Sequence, residues 1–238
     1  MPGAPHGVFQ HVPPNRLLNA GIYSIPEAAR LTKVSPSRIR RWLRGYDFKT
    51  RKAHHHSAPI WSGQLDPIEG RMAVGFRDLL EIRYVAAFLA AGVTWKTMRR
   101  AHTAAKDRLQ IDHPFCTHQF KTDGRNILLH EAEAAGDAHL IDIANDQEEF
   151  ERIVEPFFKG LEFEDGNARW WPLGRDRTVV LDPERNLGRP SASASGVPTR
   201  ILARSVRTNG SIAVVAHWFE VSSREVSDAV EFEALMAA

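Results

Sequence analysis

Between Ser24 and Gly45 the apolar positions fall into two short runs at helical spacing. Ser24 followed by Glu27 forms a capping box, and Ile25, Ala28, Ala29 and Leu31 give the first run its buried stripe. Thr32, Lys33 and Val34 make a turn. Ser35 caps the second run, Pro36 sits where a missing N–H costs nothing, and Ile39, Trp42 and Leu43 form the stripe. Gly45 ends it. Two capped helices joined by a tight turn are the sequence form of a helix-turn-helix. The polar face of the second helix carries Ser35, Ser37, Arg38, Arg40, Arg41 and Arg44. Arginine pairs bidentately with guanine edges and with phosphate, so this face is the candidate DNA contact.

Further along, Lys49, Arg51 and Lys52 fit a basic wing between short strands, with Trp61 anchoring its return. His54, His55 and His56 read as part of a solvated or phosphate-facing loop. Consecutive residues cannot converge on one ion, and no carboxylate is expected beside them. From about Arg77 to Ala91 a helix buries Leu79, Leu80, Val85, Phe88 and Leu89; Gly92 stops it and Thr94 caps another. Residues 115–131 read as a hairpin turning at Asp123-Gly124. A helix from Gln147 to Lys159 is expected to break near Pro156. GLEFEDGNARWWP and TVVLDP read as short strands, with Trp170 and Trp171 facing opposite ways, one towards a core and one towards a partner. The stretch 189–199 (RPSASASGVPT) punctuates the chain before a last helical region. The expected class is α+β, with an arm (1–20), a winged helix-turn-helix domain (21–110), a middle hairpin-and-helix region (111–180) and a helical tail (181–238).

The tail repeats the front. A shift of 187 residues lays Ser24, Ile25, Ala29, Val34 and Ser35 on the identical Ser211, Ile212, Ala216, Val221 and Ser222. Ile39, Trp42 and Leu43 fall on Val226, Ala229 and Val230, apolar on apolar. Caps and core are shared, but the surface is not. Residues 36–44 carry four arginines and no acid, whereas 223–231 carry Arg224 against Glu225, Asp228 and Glu231. A duplex holds one negative charge per ~1.7 Å, so the second copy is repelled from the groove that the first one seeks. The front copy is expected to bind DNA and the rear copy to pack against protein.

Charge follows the same division. Residues 21–110 hold 17 Lys and Arg against 7 Asp and Glu, and residues 111–238 hold 13 against 22, although the whole chain is only +2. The basic half is suited to a polyanion. No run approaches the ~18 apolar residues of a membrane span, and the start does not read as a signal peptide. Cys116 is the lone cysteine, which excludes an internal disulfide and a CxxC metal site. No nucleophile elbow, phosphate loop or metal-spaced cluster occurs, so neither enzymatic activity nor a cofactor is expected. The expected location is the cytoplasm.

The capped helix, the VSPS turn, the arginine-rich helix, the wing and the helix pair broken at AAGVTWKTM together resemble the DNA-binding domain of the MerR family, over roughly residues 22 to 106. No heptad repeat follows Lys106, so that family's long dimerisation helix is not expected. The tail resembles the DUF433 domain through Gly188-Arg189-Pro190, Gly196-Val197-Pro198-Thr199, and Val226, Ala229 and Phe232. The combination resembles VapB-type antitoxins of type II VapBC systems. The resemblance implies a homodimer that represses its own operon and neutralises a PIN-domain ribonuclease toxin. Dimerisation is expected through Val226, Val230, Phe232 and Leu235, more apolar side chains than the short motif can hide alone. An arginine inserted among the carboxylates of a PIN nuclease would displace its metal, and Arg169, Arg175 and Arg177 beside Trp170 and Trp171 are the candidates. The rival reading is a stand-alone MerR-like regulator whose middle region senses a ligand.

Overall fold

The computed structural model describes residues 19–49, 53–164 and 167–237. Most of the expected arm, together with Arg51 and Lys52 of the wing, lies outside the described residues. The chain is α+β, a helical body with short antiparallel strand pairs. At the front, β1 (Tyr23–Ser24) leads into α1 (Ile25–Thr32) and α2 (Pro36–Arg44), followed by the hairpin β2 (Tyr46–Lys49) and β3 (His54–Ser57). Strand β4 (Ala73–Val74) pairs with β1, Tyr23 opposite Val74, and feeds α3 (Phe76–Ala90) and α4 (Trp95–Leu109). Thr94 caps α4 by accepting the Thr97 N–H at 3.2 Å.

The middle region differs from the hairpin read in the sequence. Residues 118–135 form one helix, α5 (His118–Ala135), with Thr117 accepting the Phe120 N–H at 3.1 Å as its cap. Phe120, Ile127, Leu128 and Ala132 recur at helical spacing and are buried. Gly124 therefore turns nothing. It lies against the Phe120 ring, where an added Cβ would come within 2.7 Å of a ring carbon. Next come α6 (Ala138–Asn145) and α7 (Gln147–Lys159). Helix α7 runs on through Pro156 instead of breaking, carrying Phe157 and Phe158 into the core. The strands β5 (Leu161–Glu164) and β6 (Asn167–Trp170) form a hairpin, Leu161 opposite Trp170.

One core runs from Tyr23 to Leu181 through α1–α7 and the β5–β6 hairpin, so position 110 falls inside it. A second, small core gathers Ala192, Leu202, Val215, Ala216, Val226 and Ala229. Its frame is β7 (Val179–Val180) paired with β8 (Ser191–Ala192), then α8 (Thr199–Asn209), α9 (Ile212–Phe219) and α10 (Ser223–Ala237). The 189–199 stretch is thus part of this folded unit: Ala192 N donates to the Val197 carbonyl at 2.9 Å. The unit is docked on the front. The Tyr23 hydroxyl donates to the Gly188 carbonyl at 2.5 Å, and Lys33 Nζ to the Leu235 carbonyl at 2.8 Å.

Candidate nucleic-acid interface

Ser24 accepts the Glu27 N–H at 3.3 Å and Glu27 Oε2 accepts the Ser24 N–H at 2.8 Å, completing the capping box on α1. Burial raises the Glu27 carboxyl, but hydrogen bonds from Ser24 outweigh it and hold the group below its usual value. Lys33 closes α1 in the left-handed conformation, φ 57°. Ser35 accepts the Arg38 N–H at 3.4 Å to open α2. Ile39, Trp42 and Leu43 point into the core, and Trp42 meets Trp95 of α4 with ring centroids 5.6 Å apart.

The opposite face of α2 is solvent. Ser35, Ser37, Arg38, Arg40, Arg41 and Arg44 are all exposed, and among the described residues no acid pairs with any of the four arginines. Arg41 lies 5.1 Å over the Tyr46 ring, which holds it towards the wing. In the wing, Tyr46 pairs with Ser57 and Lys49 with His54, leaving Lys49 exposed at the tip. Arg99 of α4 fixes its base, donating to Ser57 Oγ and the Ala58 carbonyl, both at 2.7 Å.

The histidines lie on a strand, and a carboxylate does stand beside them. His56 Nδ1 is 2.8 Å from Asp47 Oδ1 across the hairpin, and His55 stacks on Phe48. Among the described residues no group of three His, Cys, Asp or Glu could hold a metal ion.

Below this surface lies a buried polar hub that the sequence pattern concealed. Asp78 accepts hydrogen bonds from Trp61 Nε1 (2.8 Å), Gln64 N (3.0 Å) and Gly75 N (2.9 Å), and lies 2.8 Å from His113 Nε2. One turn later, Glu81 accepts the Phe115 N–H at 2.9 Å and faces His102 Nε2 at 3.5 Å. Two acids three residues apart inside an apolar run were the available signal. Arg83 is sandwiched by Trp170 (4.0 Å to the centroid) and Phe157 (5.1 Å), and burial pulls it down to about 10. Burial pushes the Cys116 thiol well up, which leaves it unreactive.

The structure spends the toxin-facing candidates internally. Trp170 is buried beneath Arg83, and Trp171 Nε1 donates to Glu162 at 3.0 Å. Arg169 pairs with Asp182 at 3.1 Å, and Arg175 donates to the Leu161 carbonyl. Arg177 pairs with Asp228 at 2.8 Å and with Glu231. Arg169 thus ties β6 to the segment after β7, Arg175 ties the loop between them to β5, and Arg177 ties that loop to α10, so each of the three already has a partner within the chain. The dimerisation set is corrected likewise. Val226 and Phe232 are buried within the chain and Val230 is half-buried, leaving only Leu235 exposed.

No family model matches this chain, and no curated protein matches it either. Among solved structures, Rv2018 from Mycobacterium tuberculosis superposes with a TM-score of 0.68 at 24% identity, covering 87% of this chain and 96% of that one. The two share a fold. Among the described residues no helix is long and apolar enough to cross a membrane.

Proposed function

We propose that this chain is a DNA-binding repressor acting as the antitoxin of a type II pair, with a PIN-type ribonuclease as its partner. The observation that carries the DNA half is α2: four exposed arginines opposite a fully packed stripe, on a helix capped and aimed beside a wing. The toxin half rests on the resemblance of the two ends to MerR and DUF433 domains. With Val226 and Phe232 consumed inside the chain, an apolar pair left for a second copy is Val214 and Trp218, one turn apart on α9, Trp218 being 60% exposed. A two-fold pair of such copies suits a palindromic operator in the cytoplasm.

Replacing Arg40 and Arg41 with Ala is expected to weaken operator binding by about 1–3 kcal/mol for each base or phosphate interaction that the arginines make, read in a gel-shift titration. Unchanged affinity in a folded variant would remove α2 from the interface. The product of the adjoining gene is expected to co-purify with the wild-type chain, and its failure to bind would end the antitoxin reading.

A second reading has one observation in its favour. A cavity of about 550 Å³ lies between the start of α3 and the His113–His118 segment, lined by Arg77, His113, His118, Phe76 and Phe163 and, among the described residues, by no acid. A regulator that senses a small anion would use such a place. Under that reading small aromatic acids raise the melting temperature of the chain; under the antitoxin reading they leave it unchanged.

A further inference from the structure

The rear half is acidic as a whole, yet α8 is not. Its sequence TRILARSVRTN contains Arg200, Arg204 and Arg207 and no acid. Spacings of four and three residues set the three side chains within one narrow stripe, about 10 Å long at 1.5 Å per residue. All three are exposed, and among the described residues none pairs with a carboxylate. On the other side of the helix, Leu202 is buried in the rear core. Uncompensated charge on one face of a rigidly packed helix is suited to an extended polyanion.

The stripe joins the front helix-turn-helix. Arg200 at the start of α8 shares a groove with Arg30 of α1 and with Arg189. The two acids of that groove are hydrogen-bonded within the chain, Glu27 to Ser24 and Glu233 to the Thr199 hydroxyl at 2.6 Å, and the charges of Arg30 and Arg189 also act on Glu27, which leaves Arg200 the groove's basic side chain that continues along α8. At the same junction, the Lys33–Leu235 hydrogen bond seats the end of α10 against the turn that precedes α2. In a helix-turn-helix the first helix crosses the phosphate backbone while the second enters the groove. A basic stripe reached through the exposed side of α1 continues that backbone track.

We propose that Arg200, Arg204 and Arg207 form a second phosphate-binding surface for duplex DNA, extending the footprint of α2 along the backbone without reading bases. The proposal rests on the DNA-binding reading of α2 and adds the rear unit to the same interface. Phosphate contacts position a protein and carry the salt dependence of its binding, whereas base contacts carry the sequence preference.

The test uses the full chain and a long random-sequence duplex, with affinity measured by fluorescence anisotropy across a salt series. Each neutralised phosphate contributes roughly 0.9 to the slope of log affinity against log salt, so Arg200→Ala, Arg204→Ala and Arg207→Ala together are expected to reduce that slope by about 2 to 3. A control that removes the same charge from remote exposed positions of α4 and α7 (Arg108→Ala, Arg152→Ala, Lys159→Ala) is expected to keep the wild-type slope. Equal slopes for the α8 variant and the control would overturn the proposal. So would weaker binding to single-stranded RNA with no change on the duplex. If the α8 variant keeps its affinity while Arg40→Ala with Arg41→Ala loses it, this inference alone fails. If the wild type binds no duplex, the reading of α2 fails with it.

Discussion

The two helix-turn-helix units of this chain have the same local grammar and opposite surfaces. Ser24 and Ser211 cap their first helices, Lys33 and Glu220 close them in the left-handed conformation, and Ser35 and Ser222 cap the second. Ile39 and Val226 fill equivalent buried positions. The surfaces then diverge position by position. Arg38, Arg41 and Arg44 in front correspond to Glu225, Asp228 and Glu231 behind. The front arginines face solvent. The rear acids are bound by their own chain: Glu225 accepts the Ser195 N–H at 3.1 Å, Asp228 accepts Thr178 N and Oγ1 at 2.8 and 2.9 Å, and Glu231 meets Arg177. A shared backbone unit therefore says little about function. The charge at three matching positions decides whether the helix face is left to solvent or is bound by its own chain.

Making the front copy charged like the rear one gives the largest expected effect. Arg38→Glu, Arg41→Asp and Arg44→Glu together are expected to cost about 4 kcal/mol or more of duplex affinity, since each specific arginine interaction is worth about 1–3. Because those side chains are exposed, the melting temperature should move little. Unaltered DNA binding by this folded variant would break the comparison.

The converse change acts on stability. Asp228→Ala leaves the Thr178 donors without their acceptor and Arg177 with Glu231 alone, a destabilisation of about 2 kcal/mol by chemical denaturation, with duplex affinity kept. Arg41→Ala at the matching front position should leave stability unchanged.

Acid sharpens the same contrast. Burial raises Asp228, but hydrogen bonds from Thr178 and Arg177 outweigh it and hold the carboxyl below its usual value; Glu225 is held down similarly by Ser222 and Ser195. A lowered folded value means a contribution fully present above the unfolded value of about 4 and lost as the pH falls through the folded one. The front unit has one such acid, Glu27, and the rear unit has two. Below about pH 4, amide exchange should therefore open α10 before α2. Simultaneous opening would contradict this. The smallest effect is shared: Ser35→Ala and Ser222→Ala should each cost about 1 kcal/mol, because the two caps are alike.

How far the fold was legible follows from where each signal lives. Caps, turns and amphipathic stripes are local, and both helix-turn-helix units were readable from them, as were the short strands around residues 161–170, though not their pairing. The middle helix α5 was not. Asp123-Gly124 carries a strong hairpin signal, and only the packing of the Phe120 ring over Gly124 shows why glycine sits inside a helix. The basic face of α2 was legible because exposed charge needs no partner to be seen. The fates of Arg169, Arg175 and Arg177 depend on residues many positions away, Asp182, Leu161 and Asp228. Asp78 and Glu81 were hidden for the same reason: an acid in an apolar run reads as solvated until its distant donors are known.

Asp78 also bears on modularity. One carboxylate collects the return of the wing, the start of α3 and His113 from the middle region, while Glu81 takes Phe115 from the same segment. A fragment ending at residue 110 would keep Trp61, Gln64 and Gly75 on Asp78 but lose His113 beside it, and would take the Phe115 N–H from Glu81 in a dry interior, where an unmet carboxylate is costly. The helix-turn-helix at the front is thus unsuited to excision, transplantation or independent folding, even though its boundaries in sequence look clean. Any exchange of this head between proteins must carry the His113–Phe115 segment with it.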